Sequence, residues 1–353
     1  MPAGQQIRFC EAPDGVRIAY AVHGSGPPLL VSTCWLSHLQ HDWDSPVWRH
    51  FLEDLGSFAT VIRYDERGHG LSDWDVEDHS LEARVGDLEA VADDAGFERF
   101  ALMAMSQGGP PAIAYTVRHP ERVTRLLFYS SYAAALPDPT PEELELFHTF
   151  EQMIKVGFGR KDSAFRRVFT SLMIPGATEE QMSWLDELQR VSVSATTAYL
   201  ARQQRAQANC IPLLAELDLP TLVLHGLEDQ MNEFEMGRLL ATHIDGARLV
   251  PLESRNHILL ADEPAWPVFV AEVRGFLGRD EDLTGGDEGV ALLSTREREV
   301  LGLAADGCGN EEIAAALHLS VRTVERHLHN VYAKLGVSGR SARAAAVARL
   351  ART

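Results

Sequence analysis

Cysteine is scarce. The 353-residue chain has four, Cys10, Cys34, Cys210 and Cys308, at spacings that fit neither a metal site nor a redox pair. That excludes a disulfide framework and a zinc module, and it suits reduced thiols in a cytoplasm. Long apolar runs are also missing. None approaches the ~18 residues that a membrane span needs, so no membrane partner is expected. The first residues, Met1-Pro-Ala-Gly-Gln-Gln, lack a basic region followed by an apolar core, so no signal peptide is expected. Internal repeats are absent. Nothing in the cysteine, histidine and carboxylate pattern calls for a metal or a cofactor.

What is present is ordinary in amount and uneven in placement. Apolar residues make up 45% and charged residues 24%, as in globular proteins, and the length suits two domains. The net charge is −19, but the segment from Val290 onwards carries nine basic against six acidic residues. Met1 to Gly289 carries 23 against 45. A basic tail on an acidic body points to a polyanion as the partner of the tail. Between the two, Gly278 to Gly289 is rich in glycine and acids and reads as a flexible linker. The expected domains are therefore 1–277 and 290–353, with the linker over 278–289.

Along the body, strands alternate with helices, which means a mostly parallel sheet covered by helices. Ile7 to Ala12 and Val16 to Val22 flank Asp14-Gly15 as a hairpin. Further strands are expected at Pro28 to Thr33, Phe58 to Tyr64, Phe100 to Met105, Val123 to Ser130, Pro220 to His225 and Ala247 to Leu252. One long stretch, 133–211, has no convincing strand and starts helices at Thr140-Pro-Glu-Glu143 and Thr178-x-x-Gln181. It is expected to form a helical lid. Its aromatic and methionine side chains should in part line an apolar pocket.

Phe100 to Met105 runs into Ser106-Gln-Gly-Gly109 and then a helical pattern. A strand, a sharp turn and a helix with serine at the apex is the geometry of a nucleophile elbow, in which small neighbours let strand and helix approach. Downstream, Asp229 follows a strand and His257 follows the next. A serine nucleophile needs such a base, and the base needs an orienting carboxylate.

These pieces resemble the α/β-hydrolase superfamily over residues ~7–277. The matching motifs are His23-Gly-x-Gly-Pro-Pro28, Asp65-x-Arg-Gly-His-Gly-x-Ser72, Ala104-x-Ser106-x-Gly108, Gly226-x-x-Asp229 and His257-x5-Glu263-Pro264. The resemblance implies Ser106 as nucleophile, His257 as base and Asp229 as its orienter, with the Gln107 and Trp35 backbone N–H groups as oxyanion donors. Thr33-Cys34 replaces the usual His-Gly before Trp35, so the oxyanion loop is expected to differ. One oxyanion donor is worth on the order of 3 kcal/mol in the barrier. His38, His41 and His69 read as polar loop or pocket-edge residues.

At the other end, Leu293-Ser-x-Arg-Glu-x-Glu-Val-Leu301, Asn310-x-Glu-Ile-Ala314, Ser320-x-x-Thr-Val-x-x-His327 and Lys334-Leu-Gly-Val337 resemble the LuxR-type helix-turn-helix. Asn310 and Ser320 are expected to cap its second and third helices. Val324, Leu328, Val331 and Leu335 form a buried stripe on the third helix. The resemblance implies that Glu325, Arg326 and His329 meet base edges and that Arg322, Thr323, Asn330 and Lys334 meet phosphates. It also implies a fourth helix, Arg340 to Leu350, that pairs two copies on double-stranded promoter DNA.

The expected protein is thus a cytoplasmic, nucleoid-associated, homodimeric regulator. Its fold class is α/β with a small all-α DNA-binding domain. Its hydrolase-fold domain would sense, and slowly hydrolyse, a small apolar ester or lactone. The other reading stays open: a working serine hydrolase that the DNA-binding module only localises.

Overall fold

The computed structural model describes residues 4–32, 34–160, 162, 164–283, 295–305, 308–317, 319–334 and 343. The chain divides into two compact units, 1–274 and 275–353.

The first unit is built on β1 (Gln6–Glu11), β2 (Arg17–Gly24), β3 (Pro28–Ser32), β4 (Thr60–Tyr64), β5 (Phe100–Met105), β6 (Val123–Tyr129), β7 (Thr221–Gly226) and β8 (Arg248–Leu252). Their order across the sheet is β1-β2-β4-β3-β5-β6-β7-β8. β1 and β2 form the expected antiparallel hairpin, and β2 pairs antiparallel with β4. The remaining neighbours are parallel. All six residues of β5 and of β7 are buried. That explains why they read as unbroken apolar runs and not as alternating ones: helices cover both faces.

Those helices are α1 (Leu39–Trp43), α2 (Arg49–Gly56), α3 (Leu81–Asp94), α4 (Gly109–Arg118), and, beyond the lid, α9 (Phe234–His243) and the part of α10 (Ala265–Leu283) up to Arg274. Val85, Leu88 and Ile113 pack with Ile62, Leu102, Leu126 and Val223 in one large core. Phe51, Tyr129, Trp266 and Phe269 form an aromatic cluster, with Phe51 and Trp266 ring centroids 4.4 Å apart. Each fully buried side chain of this size contributes about 1.5–3 kcal/mol.

Between β6 and β7 lie α5 (Pro141–Gly157), α6 (Ala164–Met173), α7 (Glu179–Ser192) and α8 (Ala195–Ala206). Capping boxes Thr140–Glu143 and Thr178–Gln181 open α5 and α7, as the sequence signature predicts. The linker reading needs correction at its start. α10 continues through Gly278 to Leu283, because a helical glycine costs only about 1 kcal/mol and no breaker follows until Gly285-Gly286. The rest of the linker lies outside the described residues. No helix among the described residues is long and apolar enough to cross a membrane.

In the second unit, α11 (Thr295–Ala305), α12 (Asn310–Ala316) and α13 (Val321–Lys334) surround a small core of Val300, Ala304, Ile313, Ala314, Val324 and Leu328. Ser320 Oγ accepts from Thr323 N at 3.1 Å and so caps α13. Asn310 does not cap α12. It is the first helical residue, and Glu312 Oε2 accepts from Gly309 N one position earlier. Leu335 and the expected fourth helix, apart from Arg343, lie outside the described residues.

Candidate functional site

Parallel strands leave their carboxyl ends on one edge, and ligands of open α/β sheets bind beyond that edge. Ser106 follows β5 there, Asp229 follows β7 and His257 follows β8. Ser106 has φ +51°, a left-handed conformation that costs a non-glycine residue about 1–3 kcal/mol. Three side chains hold the turn by its carbonyls. Ser131 Oγ donates to Ser106 O at 2.6 Å, Arg84 Nη2 to Gln107 O at 2.9 Å and Ser32 Oγ to Gly108 O at 3.0 Å. The two glycines are steric necessities. A Cβ on Gly108 would lie 2.3 Å from the Ser32 carbonyl oxygen, and one on Gly109 2.0 Å from that of Tyr132.

His257 Nδ1 and Asp229 Oδ2 are 2.7 Å apart, both side chains fully or almost fully buried. The other Asp229 oxygen accepts from the backbone N–H of Met231 at 2.9 Å and Asn232 at 3.1 Å. Burial raises the Asp229 carboxyl, but His257 and these N–H groups outweigh it and hold it below its usual range. Burial likewise opposes a charged His257. The Asp229 charge and hydrogen bond, together with a hydrogen bond to the Cys34 thiol, win and lift the imidazole to about 10. Among the described residues, Ser106 Oγ pairs not with His257 but with Asn232 Nδ2, at 3.4 Å. That amide also donates to Ser130 O at 2.7 Å.

Trp35 and Gln107, the expected oxyanion donors, line the same cavity as Ser106. The pocket spans about 470 Å³ with its open mouth included. The lid contributes Phe147 and Met173 to it, while Phe158 and Phe169 pack against Trp35 with ring centroids 5.7 and 5.2 Å away. The pocket is not uniformly apolar as expected, because Arg202 and Arg205 of α8 also line it. Sequence reasoning passed over Glu66 as well. Its buried carboxylate accepts from Arg84 at 2.8 Å, from Gln107 Nε2 at 3.2 Å and from Arg205. The only signal was a carboxylate inside the Asp65-x-Arg-Gly turn. His69, read as a polar loop residue, is fully buried, and its Nδ1 lies 2.9 Å from Arg67 O. His41 stacks on Trp184 with centroids 4.6 Å apart.

On α13, Val324, Leu328 and Val331 are buried, while Arg322, Glu325, Arg326 and Asn330 are exposed. Thr323 is half-buried, its Oγ1 2.7 Å from Ser320 Oγ. His329 and Lys334 lie on the same helix, but their side chains are outside the described residues. No cluster of metal-ligating side chains occurs among the described residues.

Comparison with known proteins agrees with both halves. The profile of the alpha/beta hydrolase fold matches residues 27–264, and that of bacterial regulatory proteins, luxR family, matches 291–347. Epoxide hydrolase 4 of Mus musculus is 27% identical over 71% of this chain and 74% of its own length. A non-heme haloperoxidase of Rhodococcus erythropolis is 29% identical over 63% of this chain and 82% of its own. Among solved structures, an esterase from Exiguobacterium antarcticum superposes with a TM-score of 0.67 at 20% identity. It covers 78% of this chain and all of that one. At that identity the likeness shows the fold alone.

Proposed function

Since the chain belongs to the α/β-hydrolase fold family and ends in a domain of the luxR family of bacterial regulatory proteins, we propose that it is a cytoplasmic transcriptional regulator. Its hydrolase-fold domain binds a small ester- or lactone-like ligand and hydrolyses it slowly. Ser106 acts as nucleophile, His257 as base, Asp229 as orienter, and the Gln107 and Trp35 N–H groups receive the oxyanion. Two copies bind promoter DNA, with Glu325, Arg326 and His329 reading base edges and Arg322, Thr323, Asn330 and Lys334 on phosphates.

The observation that favours sensing over fast turnover is the partner of Ser106: its Oγ is paired with Asn232 Nδ2 at 3.4 Å, and among the described residues no hydrogen bond joins it to His257. Against burial, the Asp229 charge and hydrogen bond hold the imidazole above its usual range, so its charged form is favoured. The arrangement suits a site that holds an ester longer than it cleaves it. A switch needs no turnover; it needs a ligand with different affinities for two states of the protein.

The test is to recover a DNA site by selection from genomic fragments. Its affinity for the full chain is then measured with and without p-nitrophenyl butyrate, alongside ester cleavage at pH 7. The reading predicts a shift in DNA affinity of about 5- to 150-fold, the usual span of coupling between sites, with slow cleavage. Ligand-independent DNA binding with rapid cleavage at pH 7 would favour a hydrolase that the DNA-binding domain only localises.

A further inference from the structure

Arg202 and Arg205 sit three residues apart on α8, so both reach the same side of the helix. Both line the cavity that holds Ser106. Arg205 is 4% exposed, and Nη2 donates to Glu66 Oε2. Among the described residues its Nε and Nη1 are buried without a hydrogen-bond partner. Arg202 lies over the Phe147 ring, 4.5 Å from the centroid, and its Nε is also buried and unpartnered among the described residues.

The carboxylates within reach do not balance these cations. Glu66 is shared with Arg84, and Glu151 Oε2 is 3.0 Å from His148 Nδ1. Among the described residues, three guanidinium groups therefore face two carboxylates, and several N–H donors have no partner. A buried cation and buried donors are costly in that condition. Burial accordingly pulls both guanidinium groups below their ordinary pKa. One anion entering the cavity would satisfy both deficits at once, and a planar carboxylate matches the guanidinium fork. The aromatic and thioether side chains of Trp35, Phe147 and Met173 offer an apolar channel beside the pair.

We propose that Arg202 and Arg205 form a carboxylate subsite, so that the ligand is an ester or lactone bearing a free carboxylate remote from the carbonyl at Ser106. This rests on the cavity over Ser106 being the ligand site.

The test uses full-length Ser106→Ala protein, which prevents turnover, and calorimetric titration with monomethyl adipate, methyl hexanoate and inorganic phosphate. The half ester should bind about 10- to 100-fold tighter than methyl hexanoate, the span of a charge-assisted hydrogen bond. Arg202→Gln, at a half-buried position without hydrogen bonds among the described residues, should remove most of that preference, read as the ratio of the half-ester affinity to the methyl hexanoate affinity. Arg202→Lys should restore part of it. Equal affinity for the two esters would overturn the carboxylate subsite while leaving the cavity as a ligand site. Arg202-dependent binding of phosphate tighter than that of the half ester would overturn the choice of carboxylate. If neither ester binds, the cavity reading fails and the proposal falls with it.

Discussion

Asp229→Asn should move the pH dependence of ester cleavage downwards by several units. His257 is 2% exposed, and burial alone disfavours its charged form. The charge of Asp229 and the 2.7 Å hydrogen bond to it, aided by Cys34, carry the imidazole to about 10. An unfolded histidine titrates near 6.5, so the folded site favours the imidazolium by on the order of 5 kcal/mol. At neutral pH the neutral imidazole able to accept the Ser106 proton is then the minority form. In the wild type, kcat/KM should rise about tenfold per pH unit between pH 7 and 9 and level off near 10. The substitution removes the carboxylate charge and leaves burial in charge, so the inflection should drop to about 6.5 or below. The variant profile becomes flat above pH 7, with a lower plateau because the imidazolium formed in the reaction loses its partner. The same shift has a stability sign. A raised histidine pKa contributes fully below about 6.5 and is lost as pH rises through about 10, so the wild type should lose more Tm than the variant over that window. The assay is p-nitrophenyl butyrate cleavage from pH 6 to 10, with Ser106→Ala subtracted as the alkaline blank. A measurable wild-type rate that stays level between pH 7 and 9 would refute the reasoning.

Glu66→Leu should destabilise the first unit by roughly 3–5 kcal/mol, seen as a lower denaturation midpoint, because Arg84 and Arg205 lose their shared carboxylate. Burial works against the Glu66 charge, but the two arginines hold its pKa at about 2, so the wild-type contribution is complete above about pH 4.5 and fades towards pH 2. Arg326→Ala should cost ~1–3 kcal/mol at the selected DNA site and relax its specificity, read by competition binding. Lys334→Ala should weaken all sequences alike and flatten the salt dependence by about one unit. Limited proteolysis should cut beyond Leu283, before Gly289, and release a stable N-terminal fragment. Cuts concentrated in the 133–211 segment would move the domain boundary.

Much of this was legible because it rests on short-range chemistry. The apolar runs of β5 and β7, the capping boxes of α5 and α7 and the Ser320 cap are each encoded within a few residues. The order Ser106, Asp229, His257 also showed in the chain, because strand ends bring residues together by topology. What did not show depends on contacts across long separations. Arg205 meets Glu66 from 139 positions away, and Asn232 meets Ser106 from 126. No local pattern marks such partners. The pocket was read as apolar because its aromatic residues are conspicuous in sequence. The arginines of α8 look like any charged helix face until the fold turns them inward. Cys34 stood out as a departure in the oxyanion loop, but its approach to His257 needed the packed structure.

The central claim, that a hydrolase-fold pocket controls a DNA-binding domain through ligand binding and not through catalysis, is tested most directly by Ser106→Ala. The substitution removes the proposed nucleophile, whose oxygen is the acceptor of Asn232 at 3.4 Å, and leaves the rest of the cavity in place. Ester cleavage and ligand-dependent DNA affinity are measured with p-nitrophenyl butyrate on the wild-type and Ser106→Ala chains. The account predicts that cleavage disappears in the variant while the ligand still shifts DNA affinity as in the wild type. A variant that binds the ester yet no longer shifts DNA affinity would contradict it and make the acyl-enzyme the signal.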